Sequence, residues 1–240
     1  MAHCWRLANV IRTLQAELVD GLPADHPEAI ETRRDLRRIN TLMGHAGILT
    51  RSLQRIFPEK PPSRVIEIGA GDGEILLRVA RRLSRKWQEV DVVFVDLQDL
   101  LRNQTKADFA ALSWGVRSVE ADIFQWLHDT AAEKTDVILA NLVLHHFTDA
   151  QLTTLFSAAA KKADAFIAVE PRRGGWPLFC AQSLGLIGCG PVARHDAPIS
   201  VRAGFAGSEL SALWPQGNDW ELTERRAGLF SHLFVAHRKG

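Results

Sequence analysis

The stretch Val65-Ile66-Glu67-Ile68-Gly69-Ala70-Gly71-Asp72-Gly73 decides the fold of this chain. An apolar run ends in glycines at every second position, and the residues that follow have helical spacing. Glycines in such a place permit a tight turn and let backbone N–H groups approach a ligand closely. The N-terminus of the next helix adds partial positive charge. The stretch therefore predicts a strand, a ligand-binding turn and a helix, with a phosphate or a carboxylate as the bound group.

Outward from this glycine loop, short apolar runs alternate with helical stretches. The runs are nearly continuous in Val, Ile and Leu, as in parallel strands buried on both faces, and they cover residues 64–69, 90–96, 117–121, 136–141 and 165–170. Helices are predicted over about 73–86, 99–112, 149–162 and 177–187. Two further strand-like segments, 220–226 and 229–238, leave no room for a helix between them. The pattern predicts an α/β fold with a doubly wound, mostly parallel seven-stranded sheet and an antiparallel C-terminal hairpin.

Residues 1–60 differ from this pattern and are predicted to form an N-terminal helical cap ahead of a Rossmann-like domain over 61–240. A first helix is expected over about 4–19, and a second helical stretch begins near Pro27. Four arginines of the second stretch form either a solvated helix face, which we favour, or part of a lid over a substrate pocket. These are Arg33, Arg34, Arg37 and Arg38.

The composition limits the class of partner. The 240 residues include 29 Lys and Arg against 28 Asp and Glu, a net charge of +1. This balance provides no broad positive field, so neither nucleic acid nor an anionic membrane surface is expected as a partner. The three scattered cysteines lack the spacing of zinc ligands and indicate reduced thiols in a cytoplasmic protein. We recognise no signal peptide and no apolar run long enough to span a bilayer.

The nine residues 65–73 resemble motif I of the class I S-adenosylmethionine-dependent methyltransferases. That motif has two hydrophobic residues, Glu or Asp, one hydrophobic residue and Gly-x-Gly-x-Gly, and the match is complete at those positions. The glycine spacing differs from the dinucleotide fingerprint G-x-G-x-x-G, and the absence of a following Lys-Ser or Lys-Thr excludes a P-loop. The resemblance covers roughly residues 63–240 and implies a Rossmann-like core with S-adenosylmethionine as cofactor.

The resemblance also implies roles for residues at the ends of the next strands. Asp96 would take the ribose hydroxyls of the cofactor, although a nicotinamide cofactor could use the same carboxylate. Asp122 would contact the adenine amino group or cap the following helix, and the Ile123 N–H would be a second adenine partner. The segment 136–147 is similar to the motif that lies beside the methyl group. The cofactor contacts implied are Glu67, Gly69, Ala70, Gly71, Gly73, Asp96, Leu97, Asp122, Ile123 and Asn141.

Three histidines are candidates for a general base. Methyl transfer from a sulfonium is a direct displacement, so a base is needed only where the nucleophile carries a proton. His145 and His146 follow the fourth strand, where either could act on the acceptor or serve only to orient and cap. His195 lies in a predicted loop and is either a base or an ordinary surface histidine. We do not interpret Asp196 as its partner, because adjacent side chains are expected to diverge.

Arginines are the candidates for holding a substrate. Arg172 and Arg173 follow the fifth strand and could hold an anionic group by bidentate contacts, or could belong to a solvated loop. Arg37 is the candidate from the possible lid. No group of carboxylates or histidines has ligand spacing along the chain, so no metal is predicted.

The sequence thus favours transfer of a methyl group from S-adenosylmethionine to a small-molecule acceptor, with a phenolic, enolic or quinone-like oxygen as the target. The alternatives are a methyltransferase of macromolecules, a nicotinamide-dependent oxidoreductase and a cofactor-binding protein without catalysis. The near-neutral charge disfavours the first alternative, and the glycine spacing disfavours the second. The sequence leaves the oligomeric state open.

Overall fold

A computed structural model describes residues 10–23, 25–129 and 134–239 of the chain. Its strands form one sheet in the order β3-β2-β1-β4-β5-β7-β6. They are β1 Arg64–Ile68, β2 Val90–Asp96, β3 Trp114–Glu120, β4 Thr135–Asn141, β5 Ala163–Pro171, β6 Trp220–Ala227 and β7 Ser231–Arg238. The first five strands run parallel, and β7 pairs antiparallel with both β5 and β6. The predicted α/β fold and its antiparallel hairpin are confirmed, with β7 inside the sheet and β6 at the edge.

Helices cover both faces of the sheet. They are α1 Pro27–Met43, α2 His45–Ile56, α3 Glu74–Leu83, α4 Asn103–Ala110, α5 Ile123–His128, α6 Asp149–Lys162, α7 Gly175–Gln182, α8 Pro191–Ala203 and α9 Glu209–Leu213. Side chains of α2, α3 and α4 pack on one face, while those of α5, α6 and α9 pack on the other. Val, Ile and Leu fill the strands because both of their faces are buried.

The strand order places the ends of four strands at one edge of the sheet. β1 pairs with β2 on one side and with β4 on the other, and β4 pairs in turn with β5. The order of the chain reverses between β1 and β4, and open α/β sheets bind ligands in the crevice at such a point. The residues that follow these strands are therefore brought together although they are far apart in the sequence.

The prediction of a first helix over about 4–19 is wrong for the described part of that range. Residues 10–17 contain no helix, and only a short 3-10 turn follows at Val19–Gly21. The reason is that this segment bonds to the rest of the domain instead of to itself: Thr13 N–H donates to the Arg202 carbonyl, and the N–H groups of Leu18 and Val19 donate to Asp196. Residues 4–9 lie outside the described residues.

The predicted loop around His195 is also wrong, because residues 191–203 form the helix α8. Pro191 occupies the first helical position, where the missing N–H costs nothing. Pro198 lies inside the helix and is tolerated there. Smaller differences concern boundaries: β3 begins three residues earlier than expected, at Trp114, and the helix predicted over 177–187 is divided into α7 and a 3-10 turn, Leu184–Ile187.

Candidate active site

The glycine loop between β1 and α3 has a conformation that requires glycine. Gly69, Gly71 and Gly73 have φ angles of +63°, +56° and +72°. A Cβ at Gly69 would lie 2.4 Å from Cγ2 of Val143, and one at Gly73 would lie 2.9 Å from the ring of Phe94. The loop therefore packs tightly against the neighbouring strand ends while its backbone faces outward.

A cavity of about 800 Å³ opens beside this loop. Gly69, Gly71 and Asp96 line one end of it. Asp96 ends β2, and its carboxylate accepts hydrogen bonds from the N–H of Gly71 (2.9 Å) and of Gln98 (3.2 Å). The carboxylate is thereby fixed at the cavity wall, where its remaining lone pairs can accept two hydroxyl groups of a ligand.

Glu67 lies on β1 directly below the glycine loop and is 2% exposed. Its Oε2 atom is buried and has no hydrogen-bond partner among the described residues. Burial, together with the nearby charges of Asp72 and Asp96, raises the pKa of Glu67 to about 8. Such a buried, unsatisfied carboxyl group suits a cationic or hydrogen-bond-donating ligand on the loop above it.

The end of the cavity near β3 is apolar. Leu97 and Ile123 line it, and Ile123 is the first residue of α5, so no carbonyl of its own helix can accept its N–H. Asp122 caps α5 by accepting from the N–H groups of Phe124 and Gln125 at 2.9 and 3.0 Å. Asp122 is not among the residues that line the cavity, so its capping role is the one with contacts in the structure.

Asn141 belongs to a buried polar chain beside the cavity. Its Oδ1 lies 2.8 Å from Nδ1 of His45, whose Nε2 lies 2.9 Å from Oγ of Ser231. Burial lowers the pKa of His45 to about 4, despite the raising effect of Asn141, so His45 is neutral at pH 7. Asn141 thus links β4 to α2 and β7, and its side chain is not part of the cavity wall.

The residues after β4 form the other end of the cavity. Leu142 has a φ of +56°, an uncommon conformation for a residue with a side chain. The turn it makes directs Val143, His145 and His146 along the cavity wall. Local backbone strain of this kind is concentrated at functional sites.

His145 is held between two carboxylates. Its Nδ1 lies 2.7 Å from Oε2 of Glu170, and its Nε2 lies 3.4 Å from Oε1 of Glu17. Glu170 also accepts the N–H groups of Val143 and Leu144. Burial disfavours the charged imidazolium, but the hydrogen bonds and charges of Glu17 and Glu170 outweigh it and raise the pKa of His145 to about 9. His145 is therefore an imidazolium at neutral pH.

The pKa of His146 is shifted in the opposite direction from that of His145. Its ring centroid lies 4.2 Å from that of His145, and its Nδ1 lies 3.4 Å from Oδ2 of Asp20. Burial and the adjacent charge of His145 lower the pKa of His146. The two neighbouring histidines are thus driven apart in pKa, and such a division assigns different acid–base roles to a pair of groups.

One group in the described ranges could hold a metal ion. Donor atoms of Glu17, His145 and His146 lie within 4.8 Å of one another. Both ring nitrogens of His145 already have carboxylate partners, and Ser200 donates a hydrogen bond to Glu17. We therefore interpret the group as a hydrogen-bonded network, and the sequence expectation of no metal stays a prediction.

The remaining predicted residues lie outside the wall of this cavity. His195 is half-exposed on α8, and its Nδ1 lies 2.9 Å from Oδ1 of Asp196, so the expectation that these neighbours would diverge is wrong. Three other residues of α8 line the cavity instead: Ala197, Ser200 and Val201. His195 lies on a different side of α8 from these three residues. The sequence could not show this difference, because it predicted a loop there.

The predicted arginines have three different environments. Arg37 forms an ion pair with Asp72 of the glycine loop at 2.7 Å. Arg173 is paired with Glu209 and donates to the carbonyl groups of Val10 and Gly204. Arg172 lines a second cavity, together with Arg173. No predicted arginine therefore contacts the first cavity, although Arg33 of the possible lid does.

Sequence reasoning missed the carboxylates that surround the histidines. Glu170 could have been noticed as an acidic residue at the end of an apolar strand, the same signal that Asp96 gives. Glu17 lies within the helix predicted over about 4–19 and Asp20 directly after it, and nothing in the sequence relates either carboxylate to the histidines. They reach the site only because this segment lies across the cavity.

Comparisons with known proteins agree with this architecture. Residues 65–163 match the family model of a methyltransferase domain. No curated protein sequence matches the chain significantly.

Among solved structures, the plantazolicin methyltransferase BpumL, in complex with SAH, is similar at a TM-score of 0.65 and 14% identity, over 90% of this chain and 92% of that one. A candidate O-methyltransferase from Nostoc punctiforme has a TM-score of 0.61 at 13% identity, over 96% of this chain and 65% of that one. An O-methyltransferase family protein from Burkholderia thailandensis has a TM-score of 0.55 at 15% identity, over 90% and 62%. Residues 65–163 are therefore similar to a methyltransferase domain, and the chain has the fold of class I S-adenosylmethionine-dependent methyltransferases.

Proposed function

We propose that this methyltransferase moves a methyl group from S-adenosylmethionine to a phenolic, enolic or quinone-like oxygen of a small, largely apolar acceptor. One observation carries the proposal: a single cavity of about 800 Å³ extends from the glycine loop to the pair of histidines with divided pKa values. This volume lies within the range of small-molecule sites, which are mostly apolar with a few convergent polar groups.

The glycine-loop end of the cavity fits the cofactor. Asp96 has free lone pairs for the ribose hydroxyls, and the apolar wall of Leu97 and Ile123 suits the adenine ring. The unsatisfied carboxyl group of Glu67, below the loop, suits the ammonium group of the methionine part. When bound, the cofactor supplies a methyl group on a sulfonium, which is transferred in one displacement.

The acceptor end is lined by apolar side chains from α1, α7 and the 3-10 turn after α7. These include Leu36, Ile39, Leu42, Met43, Phe179, Leu184, Leu186 and Ile187. Leu42, Phe179, Leu186 and Ile187 are more than half exposed, an arrangement that a bound apolar molecule would cover. We propose that residues 1–60 act as the acceptor cap through α1 and the segment 10–22.

The histidine pair supplies the acid–base chemistry. His146 is neutral at pH 7 and borders the cavity, so we propose that it removes the proton from the O–H group of the methyl acceptor. Asp20 lies near Nδ1 of His146 and favours the tautomer that carries its proton on Nδ1. Nε2 is then unprotonated and can take up the proton. Both ring nitrogens of His145 are held by Glu170 and Glu17, so we propose that His145 is a positioning residue whose charge keeps the adjacent His146 neutral. Because it borders the cavity, we assign the base role to His146 in preference to His195.

The test is the activity of His146→Asn on a panel of phenols that differ in acidity. We expect kcat to fall by roughly 10² to 10⁴ for weakly acidic phenols and by much less for phenols that are already ionised at the assay pH, since those need no base. His237→Asn, at a distant position on β7, is the matched control, and a chelator should not change the rates. If His146→Asn lost activity equally on ionised and un-ionised phenols, His146 would not be the base.

A further inference from the structure

A second cavity, of about 620 Å³, lies at the beginning of α7. Its wall combines the end of β5, the end of β6, the segment 10–12 and the loop before α9. Pro177 of α7 lines both this cavity and the first one. The two cavities are therefore neighbours on either side of the start of α7.

The wall of the second cavity carries an excess of positive charge. Four arginines line it, against the single carboxylate of Glu209, within the described ranges: Arg12, Arg172, Arg173 and Arg226. Arg12 is paired with Asp149 at 2.6 Å, and Arg173 is paired with Glu209. In the part of the chain that the structure describes, the guanidinium groups of Arg172 and Arg226 have no ion-pair partner. Two cations therefore face this cavity without compensation.

Arg172 has a buried hydrogen-bond donor, its Nε atom, that lacks a partner in the described structure. Burial, and next the charge of Arg226, lower the pKa of Arg172, which means that the two guanidinium groups repel each other. A buried donor without a partner destabilises the folded chain, and more so when the donor is charged. An anion between the two arginines would remove both the repulsion and the missing hydrogen bond.

Backbone donors also lie in the wall of the second cavity. Gly174 is the N-cap of α7 and Gly175 is the first residue of that helix; both line the cavity, and no described side chain caps the helix. Pro177 has no N–H, so the amides of the first turn that remain for a ligand are those of Gly175 and Trp176. The helix dipole adds to the attraction for a negative charge.

We propose that the second cavity is a binding site for a phosphate-type oxyanion, held by Arg172 and Arg226 and by the first-turn amides of α7. The planar guanidinium group binds such oxyanions through two parallel hydrogen bonds, and two guanidinium groups match an anion with two charges. The anion is either free phosphate or the anionic end of an acceptor whose apolar body lies in the first cavity, beyond Pro177. Only the second assignment rests on the proposed function.

The experiment is a calorimetric titration of the full chain with inorganic phosphate and with hexyl phosphate. Wild type is compared with Arg172→Gln, Arg226→Gln and the control Arg225→Gln, an exposed arginine adjacent in the sequence that is not part of the cavity wall. We expect each of the first two variants to weaken binding by about tenfold or more. The control should stay within about twofold of wild type.

The two ligands distinguish the two sources of the anion. Equal affinities indicate a site for free phosphate, whereas binding of hexyl phosphate at least about tenfold tighter indicates an anionic group joined to an apolar body. Absence of binding at about 10 mM phosphate, or equal affinity in all four proteins, would overturn the site. Titration with S-adenosylhomocysteine verifies that the variants are folded and reports on the first cavity separately, so failure of one proposal does not imply failure of the other.

Discussion

At the scale of single residues, the buried carboxyl group of Glu67 lowers the stability of the folded chain at neutral pH. Its folded-state pKa of about 8 lies above the ordinary value of 4.5. Between these pH values the unfolded chain releases the proton while the folded chain keeps it. Stability should therefore fall as the pH rises through this interval and be unaffected by Glu67 below it.

We predict that Glu67→Gln stabilises the protein by roughly 3 kcal/mol at pH 7 and has little effect at pH 4. Gln keeps the shape of the side chain but has no charge that must be neutralised on folding. Urea unfolding at the two pH values measures the difference. Glu59→Gln, at an exposed position, should change stability by less than about 0.5 kcal/mol at both; a pH-independent effect of Glu67→Gln would contradict the explanation.

The glycine loop allows a second prediction at this scale, because two of its glycines differ only in their surroundings. Ala at Gly71 has open space and should cost about 1 to 2 kcal/mol, from the positive φ alone. Ala at Gly69 adds a clash with Val143 and should cost clearly more. Denaturant midpoints of the two variants test this order, and equal losses would show that the contact with Val143 is not tight.

The sequence predicted some site residues better than others for a physical reason. Gly69, Gly71 and Asp96 belong to a local strand–turn pattern, and the structure places them at the cavity as expected. Asp122 and Asn141 are also at strand ends, but their side chains turn to a helix cap and to a buried histidine. Local sequence fixes the position of a backbone, whereas the direction of a side chain depends on partners from other elements.

At the scale of elements, the segment 10–22 is attached to the domain mainly through α8. Asp196 of α8, 3% exposed, accepts the N–H groups of both Leu18 and Val19. These contacts place Glu17 and Asp20 over the histidine pair. The strength of this attachment should therefore control how well the acceptor end of the cavity is closed.

We predict that Asp196→Ala frees this segment at a cost of about 1 to 3 kcal/mol, because two partly buried N–H groups lose their charged acceptor. Limited proteolysis should then cleave within residues 10–22 faster than in wild type, and the KM for the acceptor should rise. Asp149→Ala is the comparison, since it removes only the 71%-exposed partner of Arg12, and a surface pair is worth less than about 1 kcal/mol. Equal cleavage in the two variants would contradict this role of Asp196.

The strands of the sheet and the helix that begins at Pro27 were predictable, whereas the conformations of residues 10–17 and 191–203 were not. The strands are continuous apolar runs, so they can be recognised in the sequence without knowing how the rest of the chain packs. Residues 10–17 and 191–203 have mixed composition, and their conformation is decided by contacts with each other. Pro191 favoured a loop in the sequence, although at the first position of a helix it is favourable.

At the scale of the whole molecule, the site is assembled from segments that are distant in sequence. The sheet order β1-β4-β5 brings His145, which follows β4, and Glu170, near the end of β5, to one edge. Glu17 of the N-terminal segment joins them through His145, and Ser200 of α8 joins them through Glu17. The sequence pattern predicts which strand ends lie at this edge of the sheet, but it does not predict which carboxylate forms a hydrogen bond with which histidine. No helix among the described residues is long and apolar enough to cross a membrane.

We propose that the glycine-loop end of the first cavity binds S-adenosylmethionine through Asp96. The most direct test is calorimetric titration of the chain and of Asp96→Asn with S-adenosylmethionine and, separately, with NADH. We predict micromolar binding of S-adenosylmethionine to the wild type, weakened by about tenfold or more in Asp96→Asn, and no binding of NADH. Binding of NADH in its place, or S-adenosylmethionine binding that does not change in Asp96→Asn, would contradict this assignment of Asp96 and of the cofactor.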